Sequence, residues 1–223
     1  MAFVRGQHIC KAQVHHRQQS GNESDEMGKV VYLTGAPATG KSTLCQRVAQ
    51  LVPDLRVLSY STLLRDYIER KHGLQFAEDG IRKQSALVVT RGDVAEVDEW
   101  LINEVEASRP TRDVIIDSHP VTKEEYGFRV TPFSVNNLKR LDADTFICLY
   151  ASPQVLADRI RTNPAGRPLP TEFELAMHVQ TQVSLATQYG LLLEKSCYLL
   201  DSAVDMDVLA AAVLTTAKLQ RAP

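Results

Sequence analysis

No stretch of this chain is apolar for 18 residues running, so nothing in it reads as a membrane-spanning helix and no membrane partner is expected. Cysteine is scarce. Cys10, Cys45, Cys148 and Cys197 are scattered and never spaced as C-x-x-C, which excludes a zinc finger or disulfide scaffold and points to a reducing compartment, the cytoplasm. An excess of one charge is also missing. Lys and Arg total 25 against 27 Asp and Glu, a net charge of -2, so the chain lacks the footprint of a dedicated nucleic-acid binder and no nucleic-acid partner is expected. There is no internal repeat and no low-complexity segment. What remains is ordinary: 223 residues, 44% hydrophobic and 23% charged. At about 150 residues per domain this suggests one domain with an appendage, and a chain this long buries about 70% of its unfolded surface without disulfide or metal.

The appendage is residues 1–28, polar throughout and without the apolar core of a signal peptide. It is free of acids before Glu23, as transit peptides are, but shows no amphipathic helix; we expect a disordered extension, with His15 and His16 solvated rather than ligating. From Lys29 onward, short β-branched apolar runs alternate with helical patterns. Strands are expected at 29–34, 56–59, 113–117, 144–150 and 197–201, runs that suit buried parallel strands. Helices are expected at 42–51, 63–71, within 81–107, at 152–161 after the Ser152–Pro153 start, from Thr171-x-x-Glu174 toward Gly190, and at 207–219. Five strands alternating with helices imply an α/β fold with a parallel sheet covered on both faces.

The first strand runs directly into Gly35, Ala36, Pro37, Ala38, Thr39, Gly40, Lys41 and Ser42, followed by Thr43 and a helical pattern. This is G-x-x-x-x-G-K-[ST] between a strand and a helix, the setting it needs. Glycines let the backbone wrap a phosphate with its N–H groups inward, at the positive end of a helix. Lys41 would reach the β- and γ-phosphates of ATP, Ser42 would ligate Mg²⁺, and Thr43 would lie near the α-phosphate. A chance match in a chain this long is expected on the order of once per hundred proteins. Downstream, VIID (114–117) ends an apolar strand on Asp117, a position beside Mg²⁺ in phosphoryl-transfer enzymes or, alone, merely a turn starter. His119 would orient an acceptor phosphate or hydrogen-bond within its loop. Arg82 could face an acceptor; Arg159, Arg161 and Arg167 surround the loop TNPAG, a closing lid by composition, although Arg159 and Arg161 would equally fit a solvated helix face.

Over residues 29–202 the chain resembles the P-loop nucleoside monophosphate kinases, in particular the archaeal-type adenylate kinases. The carriers are GAPATGKST (35–43), EDGIRK (78–83), IDSHPVTKEEYGFRVTP (116–132) and DADTFICLYASPQVLADRIR (142–161). The resemblance implies a P-loop NTPase three-layer sandwich with a five-stranded parallel sheet, an acceptor-binding insert at about 60–107 and a short lid at about 161–171, within a kinase domain of 29–223. It implies transfer of the ATP γ-phosphoryl to a nucleoside monophosphate, AMP first, with Mg²⁺. By position Lys41, Arg82, Asp117, Arg159 and Arg167 would be catalytic, Ser59, Tyr60, Arg82, His119 and Arg129 would meet the acceptor, and Ser42 and Asp117 would hold the metal. Archaeal members of the family assemble as trimers, so a homo-oligomer is allowed. The chain departs from the family in three places. Its lid NPAGRPLP keeps Arg167 alone; VQTQVSLA (179–186) carries Gln180 and Gln182 where an arginine is usual; and FRVTP places Arg129 and Val130 where the family has a glycine-rich turn. A kinase for another metabolite or modified nucleotide is the second reading, and an ATP-driven switch assisting an RNA–protein assembly the third.

Overall fold

A computed structural model describes residues 27–73, 89–164 and 169–220. In chain order its elements are β1 (Val30–Gly35), α1 (Lys41–Leu51), β2 (Arg56–Ser59), α2 (Tyr60–His72), α3 (Arg91–Ser108), β3 (Val114–Asp117), β4 (Val121–Glu124), β5 (Gly127–Val130), α4 (Val135–Leu141), β6 (Thr145–Tyr150), α5 (Pro153–Thr162), α6 (Glu172–Leu193), β7 (Ser196–Asp201) and α7 (Met206–Ala217). The expected sheet is there: five strands in the order β2-β3-β1-β6-β7, every pairing parallel. Among the described residues no helix is long and apolar enough to cross a membrane.

The period-2 geometry of β1 builds both halves of the core. All six of its residues are buried. Val31 and Leu33 face one side, where Leu44, Cys45 and Val48 of α1 and Leu209, Val213 and Leu214 of α7 meet them with Ile115 and Ile147. Val30 and Tyr32 face the other, packing with Leu101, Ile102 and Val105 of α3, Leu138 and Leu141 of α4, Phe146 and Tyr189. A third cluster joins Ala36 and Ala151 to Leu156, Ile160 and Leu175, so α5 and the start of α6 pack against the loop that follows β1. β1 lies between β3 and β6, with β2 and β3 on one side of it and β6 and β7 on the other, so the order in which strands are added reverses at β1. Open α/β sheets bind ligands in the crevice at such a point.

Two elements were not anticipated from sequence. Residues 121–130 form a two-stranded antiparallel hairpin, with Val121 opposite Val130 and Thr122 opposite Arg129. Its strands are four residues each, VTKE and GFRV, too short for a periodic signal. The hairpin packs on α6 through the buried His178, whose Nε2 lies 3.1 Å from the Val121 carbonyl oxygen and whose ring meets Phe128 edge-on at 5.2 Å. Lys123 adds an ion pair to Glu174 at 3.2 Å. The second is α4, seven residues capped by Ser134, whose hydroxyl accepts from the Asn137 N–H at 3.1 Å. Of the helical segment expected from about 81 to 107, residues 81–88 lie outside the described residues, and the rest is α3, which opens at Arg91 on a capping box formed by Thr90 and Asp93.

Lys71 reaches from α2 to Asp93 at 2.6 Å and ties the two helices together. Burial would push the Asp93 carboxyl up, but hydrogen bonds from Lys71 and Thr90 outweigh it and hold the group at about 2.

Since a carbonyl only accepts, Nε2 of His178 carries the proton of a neutral ring. Burial, opposed by the Val121 carbonyl and reinforced by the charge of Lys41, lowers the His178 pKa to about 4. The folded pKa lies below the ordinary 6.5, so this neutral ring favours the fold above that pH. Its contribution is lost as pH falls from about 6.5 to about 4. Proton NMR of the imidazole should show His178 titrating near pH 4; a midpoint near 6.5 would mean that the hairpin–α6 packing is looser than described.

Candidate active site

The site begins with the way β1 ends. Gly35 sits at φ +155°, and a Cβ there would lie 2.7 Å from the Leu149 carbonyl oxygen, so only glycine lets the chain leave the sheet beside β6. Thr39 then closes a tight turn, its hydroxyl donating to the Ala36 carbonyl at 2.8 Å. Ala38 (φ 65°) and Gly40 (φ 83°) take left-handed conformations, the alternation that turns successive N–H groups inward. Gly40 caps α1 without a side-chain bond, and the first turn of α1 holds no acid. The N-terminal N–H groups of α1 are therefore left to an anion.

Lys41 is buried to 4% exposure, and its Nζ donates to the Gly35 carbonyl at 2.8 Å. Asp117, at the carboxyl end of β3, is buried close by. Burial raises its pKa, opposed by the charge of Lys41 and a hydrogen bond from the Ser42 hydroxyl. Oδ1 of Asp117 has no hydrogen-bond partner among the described residues. An unsatisfied buried carboxylate oxygen beside an exposed hydroxyl fits Mg²⁺, a hard cation that takes one or two protein oxygens and fills the rest of its shell with phosphate and water. His119 is half-buried with Nε2 at 3.7 Å from that same Oδ1.

The acceptor candidates divide. Ser59 lies opposite Asp117 in the β2–β3 register, which brings it to the same sheet edge, and its hydroxyl meets that of Ser61 at 3.2 Å. Tyr60 turns inward: its hydroxyl donates to Asp98 at 2.7 Å, and the other Asp98 oxygen accepts from Asn137 at 3.2 Å. Arg129 forms an ion pair with Glu124 across the hairpin at 2.9 Å. Arg82 and Arg167 lie outside the described residues.

Of the two α5 arginines, Arg161 forms an ion pair with Asp158 on the exposed face of its helix, as the solvated reading has it. Arg159 points inward. Its guanidinium donates to the Ala38 carbonyl at 3.2 Å and to the Ser202 carbonyl at 2.6 Å, clamping the phosphate loop to the segment after β7. Ser202 was invisible in the sequence because a serine after a strand carries no signal of its own. Gln182, one of the two polar residues in the arginine's place, is buried and donates to the Thr34 hydroxyl at 2.7 Å. Together these groups make an anion cradle with one buried cation and one buried carboxylate, the equipment for handling a phosphoryl group.

Known proteins resemble this chain in sequence and in fold. A family model described as an AAA domain matches residues 34–175, from the end of β1 into α6. The adenylate kinase of Pyrobaculum aerophilum is 26% identical over 151 residues, 67% of this chain and 73% of that enzyme. Among solved structures, the tunicamycin resistance protein of Deinococcus radiodurans superposes with a TM-score of 0.55 at 13% identity, covering 88% of this chain and 99% of its own. Shikimate kinase from Acinetobacter baumannii gives 0.51 at 16%, covering 86% and 94%. These two likenesses concern the fold. With a family model covering more than half of its length, the chain belongs to that AAA-domain family and is a P-loop kinase of the nucleoside monophosphate kinase-like kind.

Proposed function

We propose that the chain moves the γ-phosphoryl group of Mg-ATP to a nucleoside monophosphate, with AMP as first choice. The observation that carries this reading is one sheet edge bearing both a phosphate cradle and a second polar surface, Ser59 and His119 flanking Asp117, in a chain with an adenylate kinase among its relatives. In this reading residues 29–223 are the kinase domain, the insert at about 60–107 receives the acceptor with Arg82 on its phosphate, and Arg167 arrives with the lid at about 161–171.

The acceptor phosphate oxygen attacks the γ-phosphorus in line. The new P–O bond forms as the bond to the β-phosphate oxygen breaks, leaving ADP and a second nucleoside diphosphate. A phosphate oxygen is already a competent nucleophile, so the protein needs no general base and contributes positioning and charge. The loop N–H groups and Lys41 hold the phosphates and offset charge on the bridging oxygen. Ser42 and Asp117 would hold Mg²⁺, which neutralises phosphate charge when bound. Arg159 keeps the loop in place through Ala38.

A second reading, a kinase for a hydroxyl-bearing metabolite, rests on the Asp117–His119 approach. A hydroxyl nucleophile must lose a proton, and a carboxylate–imidazole pair could take it. A phosphotransfer panel separates the two. ATP and Mg²⁺ are supplied with AMP, GMP, CMP, UMP, dTMP, shikimate, gluconate or no acceptor, and phosphorylated product and free phosphate are scored apart. Rapid ADP formation with one monophosphate and little hydrolysis without it is the expected result. Transfer to a hydroxyl acceptor alone favours the second reading, and acceptor-independent phosphate release favours an ATP-driven switch.

Lys41→Ala should cut transfer by about a hundredfold or more, the scale of losing one charge-stabilising group, while leaving the circular dichroism spectrum unchanged. Near-normal turnover in that variant would overturn the phosphate-loop mechanism.

A further inference from the structure

Gln182 lies ten residues into α6 with 1% of its surface exposed. Its Nε2 donates to the Thr34 hydroxyl at 2.7 Å and reaches the Gly35 carbonyl oxygen at 3.4 Å. Thr34 in turn donates to the Ser118 carbonyl at 3.0 Å, so its hydroxyl hydrogen is committed and it can only accept from Gln182. Two acceptors on one side of the amide fix which end is nitrogen. Oε1 is thereby turned away from both and has no hydrogen-bond partner among the described residues.

The Gly35 carbonyl consequently has two side-chain donors of unequal strength. Lys41 Nζ holds it at 2.8 Å, and Gln182 Nε2 stands at 3.4 Å, the far limit of a hydrogen bond. A lysine resting on its own loop has one of its three N–H donors committed there. When the ammonium turns to the nucleotide, the carbonyl of a buried glycine loses its strong donor, and an under-satisfied buried acceptor is costly. The amide is already placed to close the gap.

We propose that Gln182 is a positioning residue for nucleotide binding, taking over the Gly35 carbonyl when the Lys41 ammonium leaves it for a phosphate. This rests on the phosphate-loop reading of Lys41 but on no particular acceptor. It assigns a task to one of the two amides in the stretch where an arginine is usual among the resembling kinases: the amide serves the loop, and the phosphate is left to the lysine. The phosphate loop and α6, 147 residues apart in sequence, are thereby coupled through one carbonyl.

A double-mutant cycle tests the hand-over. Wild type, Gln182→Met, Lys41→Met and the double variant are titrated calorimetrically with the Mg²⁺ complex of adenylyl imidodiphosphate, and each is checked for its Tm. Methionine keeps the length of glutamine and removes the donor. Gln182→Met should weaken binding about tenfold in the wild-type background, the scale of one hydrogen bond to a buried carbonyl. With Lys41→Met there is no lysine to replace, so the same change should cost less than twofold. Equal weakening in both backgrounds would show a merely structural amide and overturn the proposal, as would binding within twofold of wild type in the single variant. Equal binding by wild type and Lys41→Met would instead remove the lysine's phosphate role, and the proposal with it. Should the methionine variant fold poorly, Gln182→Leu completes the same cycle.

Discussion

A lysine ammonium with 4% of its residue exposed has to be held by something, and what holds Lys41 organises the rest of this molecule. A buried charge without partners is far too costly to persist. Here the Gly35 carbonyl takes its hydrogen bond and the Asp117 carboxylate opposes its charge. Each partner sits at the carboxyl end of a central strand, so the lysine is placed by the sheet itself. The same arrangement places the N-terminus of α1, which has no side-chain cap and no acid in its first turn, beside the buried lysine, where a phosphate would be welcome.

Rigid surroundings keep that geometry. Gly35 can leave the sheet only because it lacks a side chain, Ala38 is strained into a left-handed conformation, and the Arg159 fork pins the Ala38 carbonyl to the segment after β7. From the other side, Gln182 reaches Thr34 and Gly35 out of α6, while His178 and Lys123 fasten α6 to the hairpin that follows Asp117. The phosphate loop, the buried carboxylate and α6 are joined by these contacts into one connected body.

Much of this was legible in the sequence because two strong local signals agree. Buried parallel strands read as β-branched runs, and the glycine–lysine pattern has a mechanical reason to lie between a strand and a helix, so the five strands and the positions of Gly35 to Thr43 followed. The hairpin did not, since its four-residue strands alternate too briefly, and α4 is barely two turns long. Side-chain direction was harder still. Arg159 and Arg161 are two residues apart on one helix, yet one clamps the loop and the other pairs with Asp158 at the surface. Tyr60, expected at the acceptor, is drawn inward by Asp98, a carboxylate 38 residues away that only tertiary structure brings near. Periodicity finds faces, but partners of this kind depend on how helices pack.

The proposed transfer requires two phosphate-bearing nucleotides to meet across one sheet edge. The most direct test is calorimetric binding of a bisubstrate compound, two adenosines joined by a five-phosphate chain, compared with ATP alone. Bridging both positions makes the second contact intramolecular and raises affinity without new groups. One-to-one binding at least tenfold tighter than ATP, with AMP competing against it, is expected. Binding no tighter than that of ATP, indifferent to AMP, would contradict an acceptor site for a nucleoside monophosphate.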